Sequence, residues 1–312
     1  MTHLKPLASG IALAGAALFA SAANADDQTL DFGVPAWPGI TVKTAIAEQL
    51  LNPLGYETST QEIGLQVIYQ GIESGDIDAF LGAWLPAQRD MFNPRKESGV
   101  LVDVANNVDG AQMTLAVPEY LFDDGLQSFA DLDDYRDQLN GEIHGFGAGS
   151  AASEIINNAI DNDTWGLGDW ELVDTSEVAM LSAASDSISR EEPIVWVGWT
   201  PHWMNLELPM RYLDDTEDLF GENNGESEVL TLLRADYADA NPNVVTFFEQ
   251  FTFTAEEQSW MIQQFGQEER ELDGVAEQWI NENAERVEAM LADVSTTDGD
   301  PAWPVIEAQL NN

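Results

Sequence analysis

The sequence predicts an α/β fold whose sheet is built through helical crossovers. Three observations carry that expectation. Short apolar runs alternate with amphipathic stretches of helical period along most of the chain. That alternation is the pattern of strand–helix–strand units. The chain has 312 residues, 44% of them hydrophobic, enough for one large domain or two lobes of ordinary size. No low-complexity tract or internal repeat interrupts the pattern.

The elements follow in order. Residues 29–34 form an apolar strand. Thr41 to Leu51 reads as a helix with Ile46, Leu50 and Leu51 on one face, ending near Gly55. Leu65 to Glu73 is a second helix, and Asp78 to Trp84 a compact strand. Thr114 to Val117 and Glu142 to Phe146 are further strands, and Ala151 to Ile160 is a helix. Ser176 to Ser189 is helical, and Pro193 to Trp199 is a continuous apolar run of the kind found in buried strands. After about residue 226 the pattern reads as mostly helical.

Composition narrows the function classes. Eleven Lys and Arg stand against 56 Asp and Glu, a formal charge of −45, which opposes binding to nucleic acid or to an anionic membrane surface. The absence of Cys excludes disulfides, thiol catalysis, Cys-ligated metals and a lipid-modified N-terminal Cys. Acidity of this degree suits a protein bathed in external salt, and stability is then expected to differ with and without molar salt. Residues 1–25 are laid out as a secretory signal peptide: Lys5, an apolar run from Leu7 to Ala20, and Ala23-Asn24-Ala25 as the cleavage site. With no lipid anchor, a periplasm is the expected compartment.

Open α/β sheets take ligands beyond the carboxyl ends of their strands. Trp37 follows the first strand, Trp84 and Trp199 close two others, and Gly147-Ala148-Gly149-Ser150 follows a fourth. A lone Trp there more often caps a core. Three at equivalent positions suggest an aromatic cage for a quaternary ammonium, which has no N–H for hydrogen bonding. Each desolvated contact contributes about 2 kcal/mol, and three on the order of 6 kcal/mol. A micromolar affinity needs about 8 kcal/mol. For an anionic second end, the helices opening at Gly39-Ile40 and at Ser150 present free N–H groups, although Ser150 suits ordinary capping equally well.

These residues resemble a known family. Trp37-Pro38-Gly39-Ile40, the run from Gly75 to Pro86 and Gly198-Trp199-Thr200-Pro201-His202-Trp203-Met204 are similar to the substrate-binding proteins of ABC importers for glycine betaine, choline and related compatible solutes. Glu177-Val178-Ala179-Met180-Leu181 and Arg211-Tyr212-Leu213-Asp214-Asp215 fit the same family, and the likeness runs over roughly residues 29–222. It implies a two-lobed periplasmic binding protein fold of type II, each lobe a sheet flanked by helices, with ligand in the cleft between them. Lobe one is then expected over 26–110 and 206–312, and lobe two over 111–205. The resemblance further implies that Trp37, Trp84 and Trp199 box the ammonium. Backbone N–H groups of Gly39 and Ile40 would hold a carboxylate, with His202 nearby; equally, His202 could serve only to satisfy the backbone. Choline-binding members carry Tyr where Met113 stands, Asp where Gly39 stands and Asn where Ser150 stands. Met113 can pack softly on methyl groups or belong to the core. A bare N–H at Gly39 suits a carboxylate, so the expected ligand is glycine betaine or a near relative ahead of choline.

The expected partners are therefore the small quaternary ammonium solute and a membrane permease with its ATPase, the protein itself acting as a monomer without metal or cofactor. Choline, carnitine, proline betaine and trimethylamine N-oxide are alternative ligands, and a sensory receptor is an alternative partner. Catalysis is disfavoured: His144 and His202, the two His beyond residue 25, form no metal pair and adjoin no evident nucleophile. Asp123-Asp124, Asp133-Asp134 and Asp214-Asp215 read as solvated surface.

Overall fold

The computed structural model describes residues 28–311. The expected signal peptide lies outside the described residues. The chain begins β1 (Thr29–Val34), α1 (Pro38–Leu51), β2 (Glu57–Glu62), α2 (Leu65–Ser74), β3 (Ala79–Leu85), α3 (Arg89–Glu97) and β4 (Leu101–Asn106). It continues β5 (Ala111–Pro118), α4 (Glu119–Asp124), β6 (Glu142–Phe146), α5 (Ala151–Asp161), β7 (Glu171–Thr175), α6 (Glu177–Arg190), β8 (Trp196–Thr200), α7 (Met204–Glu207) and β9 (Met210–Tyr212). A short turn, α8 (Glu222–Gly225), leads into β10 (Glu226–Arg234). The end is helical: α9 (Ala235–Ala240), α10 (Pro242–Gln250), α11 (Ala255–Ile262), α12 (Leu272–Glu282), α13 (Ala284–Met290) and α14 (Ala302–Leu310).

Local sequence explains the elements that frame the site. α1 starts a turn earlier than the apolar period suggests, because Pro38 at its first position has φ pre-set for helix and needs no N–H partner. It is buried almost along its length, with Ile40, Ile46, Leu50 and Leu51 in the core. α5 starts at Ser150, whose Oγ accepts from the N–H of Ser153 (3.2 Å). The turn before it needs positive φ at Gly147 (70°) and Gly149 (80°), a conformation glycine adopts without strain. Ser176 caps α6 through the N–H of Ala179 (3.2 Å). Thr254 and Glu257 close a reciprocal capping box at the start of α11.

The strands form one curled sheet with two halves. β1 pairs in parallel with β2 and β3, and β10 runs antiparallel to β3 and β4. In the other half β6 pairs in parallel with β7 and β8, and β5 runs antiparallel to β8 and β9. The halves meet where Glu226 and Ser227 of β10 pair with Gln112 and Ala111 of β5. Each half carries its own core. One gathers Phe32, Ile46, Phe80, Leu232, Phe247 and Trp279; the other gathers Leu115, Ile143, Met180, Trp196, Val197 and Phe220. This is the mixed α/β, two-lobed arrangement that the alternation and the resemblance predict.

Five strands depart from the sequence reading. Glu226–Arg234 is a central strand in a region expected to be helical. Its run Val229–Leu233 is buried at every position, and a short continuous apolar run has no period that separates strand from helix. β2, β4, β7 and the three-residue β9 are absent from that reading too. β2 (ETSTQE) is polar and almost wholly exposed, β4 (LVDVAN) and β7 (ELVDT) mix apolar with polar residues and bury only Leu101 fully, and β9 is three residues long, so none carries a sustained apolar run.

Candidate ligand-binding cleft

A cavity of ≈ 710 Å³, its open mouth included, lies between the two cores. All eight residues singled out from the sequence line it: Trp37, Trp84, Met113, Trp199, Gly39, Ile40, Ser150 and His202. They come from five separate segments of the chain, so the shared wall is a product of topology. Trp37 stands between β1 and α1, and its carbonyl accepts from the N–H (3.1 Å) and the Oγ1 (2.9 Å) of Thr41. Its ring packs against both cores. Trp84 is the penultimate residue of β3 and lies opposite Val229 in the ladder to β10. Trp199 is the penultimate residue of β8 and pairs directly with Met113 of β5, which sets both side chains on one face. Phe146, at the exit of β6, completes the aromatic wall. Its ring centroid is 4.5 Å from Trp199 and 6.3 Å, edge-on, from Trp37.

The other wall is the first turn of α1. Gly39 and Ile40 sit where helix N–H groups have no intrahelical partner. Ser150 reaches the cavity too, but its hydroxyl already serves the cap of α5 and lies 2.9 Å from Ser153 Oγ. His202 is 1% exposed and both ring nitrogens are taken. Nδ1 accepts from the N–H of Met204 (3.1 Å), which leaves the proton on Nε2, and Nε2 donates to Glu177 Oε1 (3.2 Å). The His202 and Trp199 ring centroids are 4.8 Å apart, in an edge-on arrangement.

Among the cavity residues that the sequence reading did not single out, three polar side chains bear on ligand chemistry. Glu177, 8% exposed, brings a carboxylate from the first turn of α6. Lys43, 2% exposed, brings an ammonium one turn along α1 from Gly39, and its Nζ donates to Asn107 Oδ1 (2.6 Å). Burial lowers the Lys43 pKa to about 7. Asn107 in turn donates to the Leu81 carbonyl (3.1 Å) and to Thr231 Oγ1 (2.9 Å), so the ammonium is tied to both strands β3 and β10. Gln258 joins from α11. A signal for Lys43 was present: it shares a helical stripe with the apolar Ile40 and Ala47, an unusual place for a lysine. Gln258 left no such trace.

Exposed side chains bridge the two halves beside the cleft. Gln66 Nε2 donates to Glu154 Oε1 (3.1 Å), and Gln263 and Gln267 donate to the two oxygens of Glu207 (3.0 and 2.5 Å). Among the described residues no cluster of three or more His, Asp or Glu has the spacing of a metal site. Nor is any helix among them long and apolar enough to cross a membrane.

A two-lobed α/β protein with an aromatic cleft between its lobes is a ligand-capturing protein by construction. Residues 28–282 match the model of the substrate binding domain of ABC-type glycine betaine transport systems, and the chain belongs to that family. An ABC-transporter choline binding protein, solved in complex with choline, superposes with a TM-score of 0.88 at 30% identity, over 91% of this chain and 99% of that one. The glycine betaine/carnitine transport binding protein GbuC of Listeria monocytogenes is 30% identical over 172 residues, 54% of each chain. Lactococcal OpuAC, closed on glycine betaine, shares the fold at a TM-score of 0.75 and 23% identity, over 84% of this chain and 99% of that one.

Proposed function

We propose that the protein captures glycine betaine, or a closely related methylated ammonium zwitterion, and delivers it to an ABC permease. One observation carries the choice of a zwitterion. The cavity wall holds one buried cation and one buried anion, on helices from opposite halves of the fold: Lys43 on α1 and Glu177 on α6. A ligand with both charges can answer both. Its trimethylammonium would sit among Trp37, Trp84, Trp199 and Met113, where indole faces replace the lost hydration. Glu177 would add a negative potential on the lobe-two side. The carboxylate would lie at the first turn of α1, taking the free N–H groups of Gly39 and Ile40, with the helix dipole and Lys43 behind them. His202, with both nitrogens engaged, would orient Glu177 and Trp199 and leave the carboxylate to α1. Ser150 would contribute through the turn it caps.

The two lobes would close as rigid bodies about the β10–β5 junction, and bound ligand would shift the open–closed equilibrium by its contacts to both. The first core and β1–β4 support a first lobe that takes in the described part of residues 26–110 and the C-terminal helices. Leu213 and Phe220 pack into the second core, which supports a return crossing after Phe220 in place of one near residue 205. Function would be carriage, without catalysis, by a monomer in the periplasm after removal of residues 1–25.

The test is calorimetric titration of refolded, ligand-free protein with glycine betaine and choline. Glycine betaine is expected to bind in the micromolar range, which is about 8 kcal/mol. Choline, which would set a hydroxyl beside Lys43, is expected to be at least ten-fold weaker. Tight choline with weak glycine betaine would overturn the zwitterion reading and keep the aromatic cage.

A further inference from the structure

Gln258 lies on α11, which also brings Ile262 to the cleft, far along the chain from the cleft's aromatic residues, and none of the recognition so far described uses it. Its side chain lines the cavity and is 6% exposed. Its Oε1 is buried and has no hydrogen-bond partner. Protein interiors rarely leave such an atom unpaired, because water's hydrogen bonds are lost without replacement. The amide is held by packing. A Cβ placed on Gly39 would stand 2.0 Å from Gln258 Nε2 and 3.2 Å from the Ile262 side chain. The amide therefore occupies the room that any side chain at position 39 would need. It rests on the bare backbone at the very turn whose N–H groups face the cavity. An amide carries both a donor and an acceptor on one short, planar group. Oε1, the acceptor end, has no partner in the protein, and Nε2, the donor end, stands over Gly39 beside the N–H groups that face the cavity, so a ligand oxygen there is within its reach.

We propose that Gln258 is a specificity residue that reads the oxygen-bearing end of the ligand across Gly39. With a carboxylate, which only accepts, the Nε2–H donates beside the N–H groups of Gly39 and Ile40, whereas Oε1 is paired only by a group that donates, such as a ligand hydroxyl or a water. Gly39 is thereby given a second role: it makes room for the amide as well as for the ligand. The inference rests on the reading that the cleft takes a methylated ammonium ligand, and the experiment separates the two.

The probes are glycine betaine, choline and tetramethylammonium, the last of which fills a cage and has no oxygen. Each is titrated into refolded, ligand-free wild type, Gln258→Leu and Gly39→Ala, with thermal unfolding to verify that the variants fold. Gln258→Leu keeps the bulk and removes both polar atoms. It is expected to weaken glycine betaine about ten-fold, as for loss of a hydrogen bond to a charged group, and to leave tetramethylammonium within about two-fold. Gly39→Ala pushes the amide aside without touching its chemistry, and the same selective loss is expected. An equal loss for glycine betaine and tetramethylammonium, or no loss for either, overturns the role of Gln258 while the cage stands. If wild type prefers choline, the proposed ligand falls, and Gln258 is judged on the ratio of choline to tetramethylammonium. If folded wild type binds none of the three, the proposed function and this inference fall together.

Discussion

Replacing Trp199 with alanine is expected to weaken capture of methylated ammonium ligands at least about 30-fold and to destabilise the ligand-free protein. Both effects have the same origin. The ring is buried, it is paired with Met113 across the β5–β8 ladder, and it touches Phe146 and His202. Truncating an aromatic ring in such a position costs about 3–5 kcal/mol of stability. Loss of one desolvated cage face costs about 2 kcal/mol of affinity, roughly 30-fold. The opened wall adds to that by admitting water. Trp84→Ala separates the two effects. Trp84 is only partly buried, at the margin of the second core and of the small cluster formed by Val108, Ala111 and Val229. Its removal is expected to weaken ligand by the same roughly 30-fold with a much smaller change in the urea midpoint. Undiminished affinity in Trp84→Ala would exclude an aromatic cage at these strand exits.

Stability of the ligand-free protein is expected to rise between pH 7 and pH 9, and Lys43→Met to flatten that rise. Burial lowers the Lys43 pKa from 10.5 to about 7. Between those values the unfolded chain holds a proton that the folded chain has released. Unfolding free energy therefore climbs with pH, by up to about 1.4 kcal/mol per unit. The penalty of the buried ammonium is fully present below about pH 7 and is relieved as the pH rises toward 10.5. His144, also lowered by burial, completes its change below pH 7, because its ordinary value is 6.5. The raised tyrosines, Tyr69 and Tyr212 among them, act only as the pH nears their ordinary 10.0. The window from 7 to 9 thus belongs to Lys43. Urea unfolding at the two ends is expected to differ by about 2–3 kcal/mol in wild type and by much less in Lys43→Met. A carboxylate ligand should hold the proton on Lys43. Calorimetry at pH 8 in buffers of different ionisation enthalpy is then expected to show proton uptake with glycine betaine and none with tetramethylammonium. Identical heats for both ligands would detach Lys43 from recognition.

The aromatic half of the cleft was readable before any coordinates because its signals are local. A strand that ends in Trp, or in a Gly-rich turn leading to a capping Ser, announces itself within ten residues. Topology then places strand exits together, so Trp37, Trp84, Trp199 and the turn before Ser150 could be grouped from order alone. Gly39 and Ile40 were legible for the same reason, as the first turn of a helix that follows a strand. His202 was found, but the partners of its two nitrogens, Met204 and Glu177, were not legible, since they are fixed by the loop after β8 and by its packing on α6.

The sequence by itself determined the alternation of strands and helices, the aromatic strand exits and the caps, because hydrophobic period, capping and glycine torsions act over a few residues. Tertiary structure alone decided that Glu226–Arg234 is the strand joining the two halves, since its apolar run fits helix or strand until β3, β4 and β5 supply hydrogen-bond partners. It alone brought Lys43, Glu177 and Gln258 to one cavity. A polar side chain's role depends on what surrounds it once water is excluded, and those surroundings come from segments distant in the chain.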